Sequence, residues 1–157
     1  MKMLFSILLS SIVALDAFGG PVSSPLIGSW AVDVSRLPIP PEARPKSVTI
    51  SSSDAGEDAL TMNVKIIDAA GAEISSAGTG TLDGKATSVA GSPEADLSAM
   101  KMPAPGVLVL ALSKGGVPAS TRIYAVADDG RTMVETAVYF GSNGQPVMRT
   151  NYFARVQ

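Results

Sequence analysis

Residues 59–67 read ALTMNVKII, and this stretch decides the fold class. Polar side chains stand between apolar ones, which are Leu60, Met62, Val64 and Ile66. A period of two residues is typical of a β-strand with one face on a core and the other in water. The segment therefore predicts an antiparallel sheet with a wet outer face.

Strand-like segments continue on both sides of this one, separated by turns rich in Gly, Asp and Asn. The others span residues 28–34, 46–52, 72–82, 86–90, 107–113, 117–127, 132–140 and 146–156. No amphipathic helical pattern exceeds about two turns. Sequential hairpins at this spacing favour closure, so we expect an all-β, antiparallel up-and-down β-barrel of about eight to nine strands with minimal helix.

Two stretches interrupt the pattern. Residues 36–45 read RLPIPPEARP, in which proline excludes both a helix and a central strand. We expect an ordered connection over one end of the barrel. Residues 91–100 read GSPEADLSAM and are interpreted as a helical turn; its acids Glu94 and Asp96 are more simply loop residues than a catalytic or metal-binding pair.

The first residues are typical of a targeting segment. Lys2 precedes a run of about twelve apolar or small residues, which is too short to span a bilayer, and the small residues Ala17 and Gly19 suit a cleavage site. We predict a cleaved secretory signal peptide over residues 1–24 and a single barrel domain over residues 25–157. An uncleaved anchor is the alternative. After cleavage we expect a periplasmic or secreted protein without stable membrane insertion.

Composition excludes several function classes. The chain has no Cys and no His, which removes thiol chemistry, zinc thiolate sites and the commonest general base. Its net charge of −2 comes without a basic stripe, so we expect no nucleic-acid partner. We predict no catalytic residues, no metal, no cofactor and no enzymatic activity.

A small-residue strand suggests an interior cavity. Residues 74–82 read ISSAGTGTL, which leaves room either for a ligand or for large side chains opposite. Arg122 and Tyr124 are expected near the mouth of such a cavity. Its expected ligand-binding wall comprises Leu60, Met62, Val64, Ile74, Gly78, Val109, Arg122, Tyr124, Val134 and Val138. Ordinary packing, with Met filling gaps, is the alternative.

A series of short motifs carries a family resemblance. In order they are Gly28-Ser29-Trp30, Asp33-Val34, Pro45-Lys46-Ser47, Asp83-Gly84-Lys85, residues 89–96 (VAGSPEAD) and Asp129-Gly130-Arg131. The series resembles small, largely uncharacterised bacterial exported proteins with a lipocalin-like, calycin-type β-barrel, over residues 28–156. The resemblance implies a fold and a location but no reaction.

The same resemblance implies a role for the single tryptophan. In lipocalin-like barrels the indole of Gly-x-Trp closes one end, and a basic side chain from the last strand lies across it. Here Gly28 and Trp30 supply the motif, and Arg155 is the expected partner, with Arg149 as the second choice. A guanidinium on an indole contributes roughly 0.5–2 kcal/mol.

Two functions follow as hypotheses from different classes. The first is an exported protein that binds a small apolar or amphipathic ligand inside its barrel. The alternative is a structural or protein-interaction module of the cell envelope, whose barrel is filled by its own side chains and holds no ligand.

Overall fold

A computed structural model describes residues 24–156 as a closed antiparallel barrel of ten strands. The strands are β1 (Gly28–Val32), β2 (Ser47–Gly56), β3 (Ala59–Ile67), β4 (Glu73–Thr81), β5 (Asp83–Ala90), β6 (Leu97–Ala104), β7 (Val107–Lys114), β8 (Val117–Val126), β9 (Thr132–Phe140) and β10 (Pro146–Arg155). The predicted all-β barrel is confirmed, with one strand more than the upper expected count. The predicted signal peptide lies almost entirely outside the described residues.

Closure runs through the short first strand. β1 pairs with β10 on one side and with β2 on the other, so that Trp30 is opposite Arg155 in one ladder and Ile50 in the other. Every other strand pairs with its neighbours in sequence. The up-and-down order therefore follows from nine consecutive hairpin-type connections and one closing contact between the first and last strands.

The alternation in β3 positions the core as expected. Leu60 and Met62 are buried, whereas Asn63 and Lys65 are exposed on the outer face. The two glycines of β4 make room for larger side chains. A Cβ atom at Gly80 would lie 3.6 Å from Met100, so part of the space beside the small-residue strand is filled by methionine.

Two local expectations were wrong. Residues 91–100 form no helical turn; a loop over 91–96 leads directly into β6, the strand that the sequence pattern had missed. The strand expected over residues 46–52 is also longer, because the ladder continues to the pair Gly56 and Ala59. Glu57 and Asp58 form the loop, with φ of +50° and +55°.

The proline-rich segment, residues 36–45, crosses the barrel end away from Trp30. It belongs to a connection with two short 3-10 helices, Val34–Arg36 and Pro41–Ala43. The Arg36 guanidinium carbon lies 3.3 Å from the ring centroid of Tyr152 on β10. Leu37 faces the barrel interior. The connection is therefore ordered over one end, which we call the mouth.

Large apolar side chains pack the other end, which we call the floor. It consists of Leu26, Trp30, Leu60, Leu108 and Met133, all nearly inaccessible to water. Among the described residues, no helix has the length and apolar character to cross a membrane.

Candidate functional site

An internal cavity of about 230 Å³ lies between the floor and the mouth. Leu37 of the proline-rich segment and the loop residues Ser92, Pro93 and Glu94 border it on the mouth side. The apolar part of the wall includes Val32, Val48, Ile50, Met62, Val64, Ile66, Ile74, Val89, Met100, Leu110, Leu112 and Phe153. An apolar cavity of about 150 Å³ holds one benzene ring, so this one accommodates roughly nine carbon atoms.

Six of the ten residues expected in the wall line this cavity. They are Met62, Val64, Ile74, Gly78, Arg122 and Tyr124. Leu60 points inward but belongs to the floor, beneath the cavity. The clear alternation in β3 and the small residues of β4 were sufficient to place their inward faces.

The other three expected wall residues lie on the outer face of the barrel. Val109 stands between the buried Leu108 and Leu110, so it faces away from the interior. Val134 and Val138 occupy the outer face of β9, whose inward positions are Met133, Glu135 and Ala137. The valines were chosen for their hydrophobicity, but β9 turns a carboxylate inward instead.

Glu135 is the functional residue that sequence reasoning missed. Only 2% of its surface is exposed, and it lines the cavity. It shares a face of β9 with Met133 and Ala137, both buried. Alternation along the strand places these three residues on one face. Hydrophobicity, however, favours the opposite face, with Val134 and Val138, as the inward one. A buried carboxylate needs partners, because an unpaired charge is costly in an apolar interior.

Arg122 supplies that partner and links two carboxylates. Its Nη1 donates to Glu135 Oε1 at 2.8 Å, and its Nη2 donates to Glu94 Oε2 at 2.7 Å. Asn151 donates to the second oxygen of Glu135 at 2.6 Å, and the Ser120 hydroxyl donates to Glu94. We call Glu94, Arg122 and Glu135 the ionic cluster. It extends from the buried wall to a partly exposed carboxylate at the mouth.

The surroundings fix the charges of this cluster at neutral pH. Burial alone would raise the pKa of Glu94, but hydrogen bonds from Arg122 and Ser120 outweigh it, and the pKa is lowered. Burial opposes the charge of Arg122, yet the negative charge of Glu135 contributes to a raised pKa for the guanidinium. Burial, and then the charge of Glu135, hold the pKa of the Tyr124 phenol well above its usual 10.0. The phenol is therefore neutral beside charged neighbours.

Ser98 on β6 adds a polar group with no partner. Its residue is 2% exposed and lines the cavity, and its hydroxyl oxygen makes no hydrogen bond within residues 24–156. Buried hydroxyls are almost always hydrogen-bonded in folded proteins. This one therefore offers an unused donor and an unused acceptor to whatever enters the cavity.

The floor is fixed by the tryptophan and the last arginine. The Arg155 guanidinium carbon lies 4.1 Å from the centroid of the Trp30 ring, and the indole Nε1 donates to the Leu26 carbonyl at 3.0 Å. A Cβ atom at residue 28 would lie 2.5 Å from Arg155 Nη1, so Gly28 leaves the space in which the guanidinium lies. Arg149, the second choice, lies 5.4 Å from the Tyr139 ring instead.

The arrangement suits binding better than acid–base chemistry. Every oxygen of the two carboxylates already accepts a hydrogen bond from a protein side chain. No three acidic side chains of residues 24–156 come together as metal ligands would. Comparison of the sequence with family models and with curated proteins finds no match.

Proposed function

We propose that this protein binds one small apolar or amphipathic molecule inside its barrel. The observation that carries the proposal is the cavity of about 230 Å³, with an apolar wall and a polar cluster on one side. Binding sites for small molecules usually have this composition, with few polar groups that orient the ligand. The volume is below the usual range of roughly 300–1,000 Å³ for drug-sized ligands, so the ligand is small.

The size of the cavity also sets the expected affinity. Burying roughly nine carbons at about 0.8 kcal/mol each gives a gross gain of about 7 kcal/mol. Loss of translational and rotational freedom subtracts several kcal/mol from that gain. Since that loss is at least about 4 kcal/mol, about 3 kcal/mol remains, and we expect a dissociation constant in the millimolar range for an unadorned hydrocarbon chain.

Binding of n-octanol, followed by calorimetry and by ligand-observed nuclear magnetic resonance, tests this function. Ser76→Leu fills the cavity, because Ser76 belongs to its wall, whereas Ser75→Leu adds the same side chain on the exposed outer face of β4. We expect octanol binding to be lost in Ser76→Leu and kept in Ser75→Leu. Absence of binding to the unaltered protein contradicts the proposal.

The stability of the same variant separates an open cavity from a packed interior. In an open cavity Ser76→Leu changes the free energy of unfolding little, whereas overpacking costs about 1–3 kcal/mol. Gly78→Leu is a less direct probe, because a Cβ atom there would already lie 3.3 Å from Val89 Cγ2.

A structural or protein-interaction role is the second candidate, and exposed apolar side chains favour it. Phe140 is 71% exposed and Met148 is 72% exposed, near the hairpin that joins β9 to β10. A protein without octanol binding that associates through this region would support the second candidate. The second candidate predicts that a Phe140→Ser, Met148→Ser double variant loses this association, as measured by sedimentation.

We also propose export to the periplasm or beyond, as for the exported lipocalin-like proteins that the motifs resemble. The support is the sequence of residues 1–24, with its early lysine, short apolar run and small residues. The intact mass of the exported protein is expected to correspond to a chain that begins between residues 18 and 25. A cytoplasmic protein that retains Met1 contradicts this proposal.

A further inference from the structure

We propose that the cavity selects a small primary amine, with its ammonium group beside Glu94 and Ser98 and its hydrocarbon part directed toward the floor. This inference rests on the proposed function and adds the chemical class of the ligand. It follows from the charge of the cavity, from the unused hydrogen-bonding groups of Glu94 and Ser98, and from the position of these groups between the mouth and the floor.

The charge of the wall favours a cation. Among residues 24–156, the charged residues that line the cavity are Glu94, Arg122 and Glu135, which gives two negative charges, one positive charge and a net charge of −1. Lys114 is close to the loop but exposed, and its ammonium donates to the carbonyls of Ser92 and Pro93. Charges interact more strongly beside an apolar wall than in water, so a ligand ammonium is favoured and a ligand carboxylate is disfavoured.

Arg122 is not free to hold an anionic ligand. Its two terminal nitrogens are directed to two different carboxylates, at 2.7 and 2.8 Å. A ligand carboxylate would have to displace Glu94 or Glu135 from the guanidinium. Displacing Glu135 would leave a charge unpaired at a position that is almost completely buried, which is strongly unfavourable.

Glu94 retains capacity for another donor. Each of its oxygens accepts one hydrogen bond, from Ser120 or from Arg122, whereas a carboxylate oxygen has two acceptor sites. The side chain is partly exposed at the mouth, so the remaining sites are open to solvent or to a ligand. An ammonium group has three donors and no acceptor, so it can donate to these free acceptor sites.

Ser98 is independent evidence that the ligand has a polar end. A hydrocarbon would leave its buried hydroxyl unpartnered, and such a group costs about 1–3 kcal/mol. Ser98 and Ser120 are both register partners of Leu112, on the two strands that flank β7. Ser98 and Ser120, the latter hydrogen-bonded to Glu94, therefore lie on strands about 10 Å apart, and Ser98 and Glu94 both line the cavity.

The apolar residues fix the orientation of the rest of the ligand. Met62, Met100 and Phe153 belong to the wall and also pack against the floor cluster. The ionic cluster and the loop over residues 92–94 lie on the mouth side. A ligand of roughly eight carbons and one nitrogen therefore fills the cavity, with its alkyl chain toward the floor and its amine at the level of Glu94.

Three probes with the same chain test the charge preference directly. Octylamine, octanol and octanoate differ in the head group, and their dissociation constants are measured on the unaltered protein at neutral pH. We expect octylamine to bind about ten-fold more tightly than octanol, and octanoate to bind most weakly, since tenfold corresponds to one modest charge-assisted contact. Equal binding of all three overturns the charge preference but leaves the proposed function intact. Absence of binding by all three overturns both.

Variants assign the preference to its residues. Glu94→Gln is expected to weaken octylamine binding about ten-fold and to leave octanol binding nearly unchanged. Ser98→Ala is expected to weaken the binding of both octylamine and octanol. The control is Glu73→Gln, which removes an exposed carboxylate paired with Lys65 outside the cavity and is expected to change neither. An unchanged affinity for octylamine in Glu94→Gln contradicts the proposed site. If Glu94→Gln does not fold, the ranking of the three probes on the unaltered protein still decides the charge preference.

Discussion

The guanidinium of Arg155 lies on the face of Trp30 and joins two other parts of the chain. Its carbon lies 4.1 Å from the indole centroid, while Nη1 donates to the Ile27 carbonyl at 2.9 Å and Nε donates to the Gly130 carbonyl at 2.7 Å. One side chain of the last strand thus connects the segment before β1 with the turn between β8 and β9. Because β1 is only five residues long, this contact supplements a short closing ladder.

Arg155→Lys is expected to weaken the closure of the barrel. Lysine keeps the charge but cannot stack a planar group on the indole while donating in two directions. We expect a loss of about 1–3 kcal/mol in the free energy of unfolding, from one cation–π contact and two hydrogen bonds. Urea denaturation followed by circular dichroism measures the loss. The emission of Trp30, the only tryptophan, should also shift to longer wavelength.

Arg149→Lys is the matched control for this change. Arg149 also lies on β10, but it is exposed and its guanidinium carbon is 5.4 Å from the Tyr139 ring. We expect its effect to remain within about 0.5 kcal/mol, as for most surface substitutions. Equal losses in the two variants would show that Arg155 has no special part in the closure.

A different sequence in the loop between β2 and β3 is expected to stabilise the protein. Glu57 and Asp58 both have positive φ, which is strained for residues with a Cβ atom. Asn-Gly adopts this two-residue hairpin conformation far more readily. The double change Glu57→Asn, Asp58→Gly should therefore raise the free energy of unfolding by about 1 kcal/mol.

The control for the hairpin is a glycine at a position with ordinary backbone angles. Asp128 lies within the turn between β8 and β9 but does not have positive φ. Asp128→Gly should lower the free energy of unfolding, because glycine increases the conformational entropy of the unfolded chain. A stabilising Asp128→Gly together with a destabilising hairpin variant would contradict the argument from φ.

Prediction from sequence succeeded where only one face of a strand is apolar. In β3 the outward residues Asn63 and Lys65 leave no doubt about which side chains enter the core. In β7 both faces are apolar, since Val109 alternates with Leu108 and Leu110, so the pattern cannot assign a direction. β6 was missed because its inward residues, Ser98, Met100 and Met102, include a serine and alternate with small or charged residues.

The ionic cluster depended on tertiary contacts that no local pattern carries. Glu94 comes from a loop and Arg122 from β8, 28 positions further along the chain, and two complete strands lie between them. Arg122 was expected near the mouth of a cavity together with Tyr124, and both line the cavity. Its pairing with Glu135 needs the register of β8 against β9, which the structure supplies. Hydrophobicity alone favoured the opposite face of β9.

The buried phenol of Tyr124 gives the barrel a dependence on alkaline pH. Burial and the charge of Glu135 raise its pKa well above the ordinary value of 10.0, so the folded protein holds it neutral where the unfolded chain would ionise it. Its contribution to stability is complete below pH 10 and is lost as the pH rises beyond that value. The free energy of unfolding should therefore fall above pH 10.

Tyr124→Phe isolates this contribution. The variant loses the hydrogen bond with Glu135, so it should be less stable at neutral pH by about 1–2 kcal/mol. Its free energy of unfolding should fall less steeply above pH 10 than that of the unaltered protein, as measured by urea denaturation across that range. The same slope in the two proteins would mean that Tyr124 ionises as easily in the folded state as in the unfolded chain.

Gly91 controls the loop that carries Glu94, and its substitution separates steric from conformational strain. Its φ is +72°, and a Cβ atom there would lie 2.2 Å from the backbone oxygen of Ser75. Gly144 has nearly the same φ, +75°, with no atom within 4 Å of an added Cβ. Gly144→Ala should therefore lower the free energy of unfolding by only about 1–2 kcal/mol, which is the penalty for a left-handed backbone at alanine. Gly91→Ala should cost more, because the backbone of β4 or of the loop must also move.

The backbone movement caused by Gly91→Ala should also change the position of Glu94 in the cavity wall. Glu94 is held by short-range contacts within its loop, where the Ser92 hydroxyl accepts the backbone N–H groups of Glu94 and Ala95 at 3.2 and 3.1 Å. A displaced loop therefore carries its carboxylate away from Arg122 as a unit. Gly91→Ala should reduce the preference for octylamine over octanol, whereas Gly144→Ala, on the turn between β9 and β10, should leave it unchanged. Equal stability losses and an unchanged preference in Gly91→Ala would show that the loop position does not depend on its approach to Ser75.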